Sequence, residues 1–291
     1  MTTLPLNYDS VKIEFSDPSA AASEEILVLF LGEMAGDDKS PQAPDNQAYA
    51  DAVKSSLSAS LGKAAALVNH VHHAIKHARF KGKFGDGLKI FAPPSENAKL
   101  ARILVMGYGK KASDAKKTDQ NAPHLAANDQ KTLTPAKLAD LGAAIIASLS
   151  NVTQKSARVL VAGLDPILTE AKISATEAAA QMALGAKLRA WRFDPYLTKQ
   201  KPEDKPSLTH LNFMLDDAKQ AAAIFAADHN GVADAIGVAR YLVAEPANAL
   251  TPPIYADHLQ AIKIDGLTIA VFDEKKLAAL KMGAMLGVAQ G

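Results

Sequence analysis

Cysteine is absent from the 291 residues of this sequence, and aromatic residues make up only 5% of it. Without cysteine there are no disulfide scaffolds, thiolate zinc sites or cysteine nucleophiles, so any metal must be bound by His, Asp, Glu or Lys side chains. Because aromatic residues are scarce, smaller side chains must fill much of the interior, and alanine is the commonest residue. This composition favours a helix-rich α/β protein whose helices pack closely.

A strong charge of either sign and a long apolar run are also missing. The 32 Lys and Arg residues nearly balance the 31 Asp and Glu residues, and the net charge of +1 gives little support for nucleic-acid binding. Apolar runs such as residues 26–31 are far shorter than the roughly 20 residues that span a bilayer. The first residues also lack the basic and apolar segments of a signal peptide. We therefore expect a cytoplasmic protein with no membrane contact.

The first part of the sequence alternates short apolar runs with helical patterns. Thr134 and Pro135 form a typical N-cap and first turn, and apolar residues then recur at helical spacing as far as Leu149. Alternating strands and helices predict a sheet covered by helices, and we expect this first domain to span residues 1–168. The predicted strands of this domain are residues 11–15, 26–31, 88–92, 102–107 and 158–163.

The remainder predicts a junction followed by a second, incomplete α/β domain. Residues 169–192 consist almost entirely of helix formers, and the charged segment 194–207 contains three prolines. A linking helix and an exposed linker are therefore expected over residues 169–206. The second domain, residues 207–291, has two candidate strands at residues 208–215 and 267–272, with three helices. Two strands leave a sheet edge and apolar helix faces that need further strands to cover them.

Four of the eight histidines crowd one predicted helix. The spacing of His70, His73 and His77 places three imidazoles on one helix face, and His72 lies beside them, which would suit zinc or nickel. No acidic residue follows at helical spacing, and Lys76 lies next to this face and would repel a cation. The pattern is more typical of a solvated basic helix face, so we assign no metal site here.

A second candidate site is the GYGKK segment at residues 107–111, which follows a predicted strand. Its backbone amides could bind a phosphate, but it lacks a third glycine and the GK[ST] ending, so an ordinary strand-to-helix turn is the preferred interpretation. Asp37 and Asp38 lie in a Gly, Ser and Pro loop, where solvated charge is expected. The remaining histidines lie near no nucleophile or metalloprotease motif. They are His124, His210, His229 and His258.

The most distinctive local pattern is VAEPANALTPPIYAD at residues 243–257. Pro246 must end the preceding helix, because proline disfavours helix at the residue before it and has no N–H to donate. Asn248 can hydrogen-bond its own turn, while Thr251 and Pro252 can begin the next helix. These residues predict a stiff corner between two helices, which we call the PAN corner.

The PAN corner and the preceding ARYLV resemble the ARxLxNxPANxLTP signature of the leucyl aminopeptidase (cytosol aminopeptidase) family, except that Ala244 stands where the family usually has Asn. Four further segments resemble motifs of the same family, in the same order along the chain. They are FKGKFGDG at 80–87, ILVMGYGKK at 103–111, GAKLRAWRFDPYLTK at 185–199 and MGAMLGVAQG at 282–291. The sequence is therefore identified as a member of this family.

The resemblance implies an amino-terminal domain similar to macro domains, a linking helix and the first part of a metallo-aminopeptidase catalytic domain. The family removes amino-terminal residues from peptides with two divalent cations, usually zinc, manganese or magnesium, as a hexamer. Its metal ligands and catalytic residues lie in motifs of the form VGKGxxFDSGG and NTDAEGR, and neither motif occurs in these 291 residues. We therefore assign no catalytic, cofactor-binding or metal-binding residue, and expect no bound cation and no activity from this chain alone.

A second class of function remains open at this point. The macro-like domain could act as a non-catalytic module that binds a nucleotide-like ligand, a partner subunit or DNA. The balanced charge supports DNA binding only weakly. Peptide turnover that depends on a metal would distinguish the aminopeptidase from such a module.

Overall fold

The computed structural model describes residues 11–18, 24–33, 64–94, 100–109 and 133–290. The described residues form two compact units. Residues 11–234 belong to the unit Tyr8–Asp234, and residues 235–290 belong to the unit that contains Ala235–Gly291. The positions of the predicted residues His124, Asp37, Asp38, Lys110 and Lys111 lie outside the described residues.

A six-stranded mixed sheet organises the unit Tyr8–Asp234. Its strand order is β1-β6-β5-β2-β4-β3, and all neighbours are parallel except β3 and β4, which are antiparallel. This arrangement confirms the α/β class. The strands are β1 (Lys12–Ser16), β2 (Ile26–Gly32), β3 (Gly87–Phe91), β4 (Arg102–Gly109), β5 (Ser156–Leu160) and β6 (His210–Met214).

The five strands predicted for the first domain are all present, within a few residues of the expected bounds. Strands β2 and β4 lie in the interior of the sheet and are apolar along almost their whole length, as expected of strands covered on both faces. Residues 161–163, predicted as the end of a strand, belong instead to the short 3₁₀ helix Val161–Leu164.

Nine α-helices are assigned within the described ranges. In Tyr8–Asp234 the helical stretch predicted after residue 169 is interrupted at Lys172, which has φ 57°. The helices are α1 (Ala64–His77), α2 (Pro135–Ser148), α3 (Asp165–Ala171), α4 (Ala175–Ala190), α5 (Ala218–Ile224), α6 (Gly231–Ala244), α7 (Pro252–Gln260), α8 (Glu274–Ala279) and α9 (Gly283–Ala289).

The two faces of the sheet bury separate apolar clusters. Successive residues of β2 alternate between them, because side chains of a strand point to opposite faces. Val28 and Phe30 join the cluster with α2 and α4, whereas Leu27 and Leu29 join the cluster that includes apolar residues of α1. From Leu67 to Ile75, the large apolar residues of α1 are thus buried in the second cluster.

Helices α2 and α4 approach each other closely through small residues. A Cβ atom added to Gly142 would lie 1.9 Å from the carbonyl oxygen of Met182, and one added to Gly185 would lie 1.8 Å from that of Ala139. The side of α4 that is fully buried consists largely of alanine. The expectation of close helix contacts with small side chains is confirmed.

The position of strand β6 differs from the predicted division of the chain into two domains. Residues 208–215 were expected to open a second sheet, but β6 pairs in parallel with both β1 and β5 in the first sheet. The prediction is wrong at this strand, because a short apolar run contains no information about which sheet it joins. The proline-containing segment 194–207 is consequently a connection within Tyr8–Asp234, and this unit extends well past residue 168.

The unit that contains Ala235–Gly291 is helical in its described residues, with α7, α8 and α9 following the end of α6. Residues 267–272 were predicted as a strand, but within the described part of the chain they pair with no neighbour and form no strand. Leu267 and Phe272 are each about half exposed. Their apolar pattern is that of a buried strand, without the sheet that would bury it.

Candidate functional site

The histidine-rich face lies on helix α1. The rings of His73 and His77 are roughly parallel with centroids 6.3 Å apart, and those of His72 and His73 meet edge to face at 6.1 Å. His73 and His77 are exposed. In the described ranges no group of three or more His, Cys, Asp or Glu side chains is placed to hold a metal ion. Helical spacing alone therefore does not assemble a three-imidazole site.

The GYG segment at the end of β4 is held by the loop before β3. The amide of Gly107 donates to the carbonyl of Asp86 at 2.8 Å, and that of Gly109 donates to the carbonyl of Gly82 at 3.1 Å. A Cβ atom on Gly107 would lie 2.0 Å from the carbonyl oxygen of Lys83. Both glycine amides are thus engaged within the protein. Glycine is needed because two backbone segments approach closely, which disfavours the phosphate-binding interpretation.

The other described histidines lie apart in the chain. His210 begins β6, and its Nδ1 atom lies 2.8 Å from the hydroxyl of Thr209. His229 lies in the π-helical turn Phe225–Asn230, between α5 and α6. His258 is buried in α7. None of these positions is assigned a catalytic role.

The PAN corner has the predicted form of a break between two helices. Helix α6 ends at Ala244, and the amides of Ala249 and Leu250 both donate to the carbonyl of Pro246 at 2.9 Å. Thr251 occupies the N-cap position of α7, but its side chain makes no capping hydrogen bond. Its carbonyl accepts from the amide of Tyr255 at 2.9 Å. Backbone geometry, rather than the threonine hydroxyl, therefore begins the second helix.

A buried polar group that the sequence analysis missed lies on the sheet. The side chain of Arg158 in β5 forms an ion pair with Glu24 at 2.6 Å, and the amide nitrogen of Asn212 donates to the same carboxylate at 2.6 Å. The charged side chains are only 4% and 10% exposed. A charged residue inside an apolar strand was the one available signal, and it could not identify Glu24 as the partner.

A second polar group links α4 to the start of α6. The ammonium of Lys187 lies 2.6 Å from a carboxylate oxygen of Asp234 and donates to the amide oxygen of Asn230 at 2.7 Å. Lys187 belongs to the GAKLRAWRFD segment, so the family resemblance placed this residue within a motif. The π-helical turn, which brings Asn230 to the lysine, had no sequence signal that we recognised.

Two carboxylates follow neighbouring parallel strands. Asp165 comes after β5 and Asp216 after β6, at the same edge of the sheet. Partial burial raises the pKa of Asp165, and the nearby charge of Asp216 raises it further. Among the described residues no third ligand joins these two carboxylates, so they do not form a two-metal site of the kind the resemblance implies.

Comparison with known families matches the chain in two consecutive parts. The amino-terminal domain of the cytosol aminopeptidase family matches residues 45–200, and the catalytic domain of that family matches residues 237–291. None of the helices in the described ranges combines the length and the hydrophobicity of a membrane span.

Curated relatives resemble the chain over nearly all of its length. A probable cytosol aminopeptidase of Rhodopseudomonas palustris (strain BisA53) is 33% identical over 283 residues, which cover 97% of this chain and 47% of the relative. Another, of Rhizobium etli (strain CIAT 652), is 35% identical over 220 residues, or 75% of this chain and 38% of the relative. The chain spans about half the length of the curated relatives it matches, or less.

Solved structures share the fold. A tomato leucine aminopeptidase variant superposes with a TM-score of 0.59 at 20% identity, over 93% of this chain and 46% of that one. The bottromycin maturation enzyme BotP superposes with a TM-score of 0.52 at 18% identity, over 89% of this chain and 41% of that one. This likeness shows the fold alone, whereas the two family matches and the identity to curated relatives show that the chain belongs to the cytosol aminopeptidase family.

Proposed function

We propose that this chain is the amino-terminal part of a cytoplasmic metallo-aminopeptidase that removes amino-terminal residues from peptides. The observation that carries the proposal is the order of the two family matches, with residues 45–200 on the amino-terminal domain and residues 237–291 on the catalytic domain. The amino-terminal unit is then the macro-like domain of such an enzyme, and the homo-hexamer of the family is the expected assembly.

The chemistry of the complete enzyme depends on two divalent cations, zinc or manganese, which polarise the peptide carbonyl and activate a water molecule. The residues described here do not fit such a centre, because they contain no convergent group of three or more His, Cys, Asp or Glu side chains. The family motifs that supply the ligands are also absent from the sequence. We accordingly propose that the 291-residue chain alone binds no catalytic metal pair and has no peptidase activity.

The contribution of residues 235–291 is then an apolar surface for the remainder of a catalytic domain. Val243 is 87% exposed and Val288 is 84% exposed, and Ile264, Val271 and Phe272 are also exposed. Soluble proteins rarely leave so many apolar side chains uncovered within one short region. Such side chains are those expected to pack against further strands and helices of the catalytic domain.

Complementation tests this proposal. The purified chain is assayed with leucine p-nitroanilide and added manganese or zinc, alone and after co-expression with the carboxy-terminal half of the Rhodopseudomonas palustris relative. We expect turnover that chelators abolish only when both parts are present, and none from either part alone. Metal-dependent turnover by the purified 291-residue chain would contradict the proposed inactivity.

Two variants test whether complementation depends on the apolar surface of residues 235–291. Val243→Asp with Val288→Asp should prevent complementation, because each places a charge where an apolar contact is expected. Leu197→Asp is the matched control, since Leu197 is 54% exposed but lies in the other unit. A stable complex of the two parts without turnover would instead favour a non-catalytic binding module.

A further inference from the structure

A cavity of about 490 Å³ lies within the unit Tyr8–Asp234. It is located where α2 and α4 end and where β1 and β6 begin, since Leu149, Ala190, Val11 and Leu208 line it. These four apolar side chains are all buried. The floor of the cavity is therefore apolar, and its volume is large enough for a small organic molecule.

The rim of this cavity is basic. It carries Arg189, Arg192 and Lys205 but one carboxylate, that of Asp194. Arg192 binds Asp194 through two hydrogen bonds, from Nε to Oδ2 at 2.8 Å and from Nη2 to Oδ1 at 3.2 Å. Arg189 and Lys205 are exposed and have no ion-pair partner in the described part of the chain. Two positive charges at the rim are thus uncompensated by side chains.

The carboxyl ends of two helices offset part of this positive charge, but not all of it. The carboxyl ends of α2 and α4 carry partial negative charges of about one half each, and cations are favoured beside them. Arg189 lies in the last turn of α4. Together the two helix ends offset about one of the two uncompensated positive charges. About one positive charge therefore remains at the mouth of an apolar pocket.

We propose that this cavity binds a small organic anion with an apolar body and a single carboxylate or phosphate group. The apolar body would contact the accessible edges of Val11, Ile146 and Leu208 on the cavity floor, and the anionic group would accept hydrogen bonds from Arg189 and Lys205. This inference does not rest on the proposed function, because every residue that lines the cavity lies outside the catalytic-domain match at residues 237–291.

The single tryptophan provides a local reporter. Trp191 lies between Ala190 and Arg192, which both line the cavity, and it is the only tryptophan in the sequence. A change in its fluorescence therefore reports on this region rather than on the exposed apolar side chains of residues 235–291.

The experiment titrates the full 291-residue chain with hexanoate, hexyl phosphate and the neutral hexanamide while Trp191 emission is recorded. We expect a saturable change with one or both anions and a much weaker one with hexanamide. The carboxylate and phosphate arms identify which anionic group is preferred. Removing two charge-assisted contacts in Arg189→Gln/Lys205→Gln should weaken binding of the preferred anion at least roughly tenfold.

Matched variants control for net charge. Lys89→Gln/Lys219→Gln also removes two exposed positive charges, but neither residue lines the cavity, so its affinity should equal that of the original chain. Circular dichroism and melting temperature establish that each variant is folded. Absence of saturable binding, equal binding of hexanamide, or equal weakening in both double variants would overturn the proposal. In that case Arg189 and Lys205 serve only to neutralise the helix ends.

Discussion

The two compact units differ in how much of their apolar surface they bury. In Tyr8–Asp234, apolar residues form continuous clusters on both faces of a six-stranded sheet. In the described residues from 235 onward, only Gly237, Tyr241 and His258 are buried. Yet helices α7, α8 and α9 are formed here as regularly as in the first unit.

This difference shows that helix formation and burial depend on the sequence in different ways. Helix α8 begins where the side chain of Asp273 accepts a hydrogen bond from the amide of Lys276 at 2.8 Å, which is a local interaction. Local signals of this kind act without a core. Burial, in contrast, requires a second surface, and most stabilisation of a helix in a protein comes from that packing. We therefore expect nearly all of the stability of this chain to reside in Tyr8–Asp234.

The largest expected effect comes from cutting the chain. A chain ending at Ala244 keeps all six strands and should unfold cooperatively on heating. A chain ending at Leu168 loses α4 and β6, which lies between β1 and β5, and should not fold. Calorimetry and circular dichroism of the two shortened chains measure whether each one unfolds cooperatively. A cooperatively folded 168-residue chain would restore the domain boundary expected from the sequence.

Breaking the buried ion pair should have the next largest effect. Glu24→Ala leaves the Arg158 guanidinium buried without its carboxylate, and should lower the free energy of unfolding by about 3–5 kcal/mol. The exposed pair of Lys12 and Glu14 is the control, because Lys12→Ala should cost less than about 1 kcal/mol. Chemical denaturation measures both values. Similar losses in the two variants would contradict the structural difference between the pairs.

Filling the contact between α2 and α4 should also destabilise the first unit. Gly185→Ala would place a methyl group against the backbone of Ala139, at an expected cost of about 1–3 kcal/mol. The control is Gly231→Ala, because nothing lies within 4 Å of a Cβ atom there. That helical position should gain up to about 1 kcal/mol. Equal melting temperatures for the two variants would show that the helices can separate without loss.

Removing the N-cap of α4 should have a smaller effect. Ser174 and Glu177 form a capping box, and Ser174→Ala should cost about 1 kcal/mol near pH 7. Hydrogen bonds from the backbone and then the side chain of Ser174 lower the pKa of Glu177. The resulting stabilisation is present above the ordinary pKa of Glu and is lost as the pH falls through the lowered value. The difference between the two denaturation curves should therefore become smaller in acid, because only the bond from the Ser174 hydroxyl to the Glu177 carboxylate titrates, and a pH-independent difference would contradict this assignment.

The smallest effect is expected in the second unit. Val288 is 84% exposed, so Val288→Ser should change the free energy of unfolding by less than about 0.5 kcal/mol. The same change at Val28, which is fully buried in β2, should be far more costly. Comparing the two variants by chemical denaturation measures the contrast directly. A large loss at Val288 would mean that this side chain is buried in the protein as it exists in solution.

Prediction from sequence succeeded where neighbouring residues carry the information. The strands of the first domain were located because each is a short apolar run with clear limits, and α2 because Thr134 and Pro135 mark its start. The break at Pro246 was located because proline ends a helix regardless of its surroundings. The family resemblance of the PAN corner depended on that same compact pattern.

For the candidate sites, local patterns identified single segments but not the distant residues that contact them. Helical spacing grouped the histidines of α1, but it could not show whether a third ligand converges on them. The glycines of the GYG segment were recognised from their spacing, yet only the position of Gly82 and Asp86 shows that their amides are already engaged. The basic cavity had no sequence signal, because it combines Arg189 at the end of α4 with Lys205, which lies in the connection 194–207.

The sequence by itself determined the α/β class, the limits of most strands and the membership of the aminopeptidase family, since these depend on local patterns and on ordered motifs. Only the tertiary structure decided that β6 joins the first sheet, that Arg158 meets Glu24, and that residues 267–272 pair with no strand among those described. The physical reason is the same in each case. Strand pairing and burial depend on contacts between distant segments, and the residues of one segment do not determine which other segment it contacts.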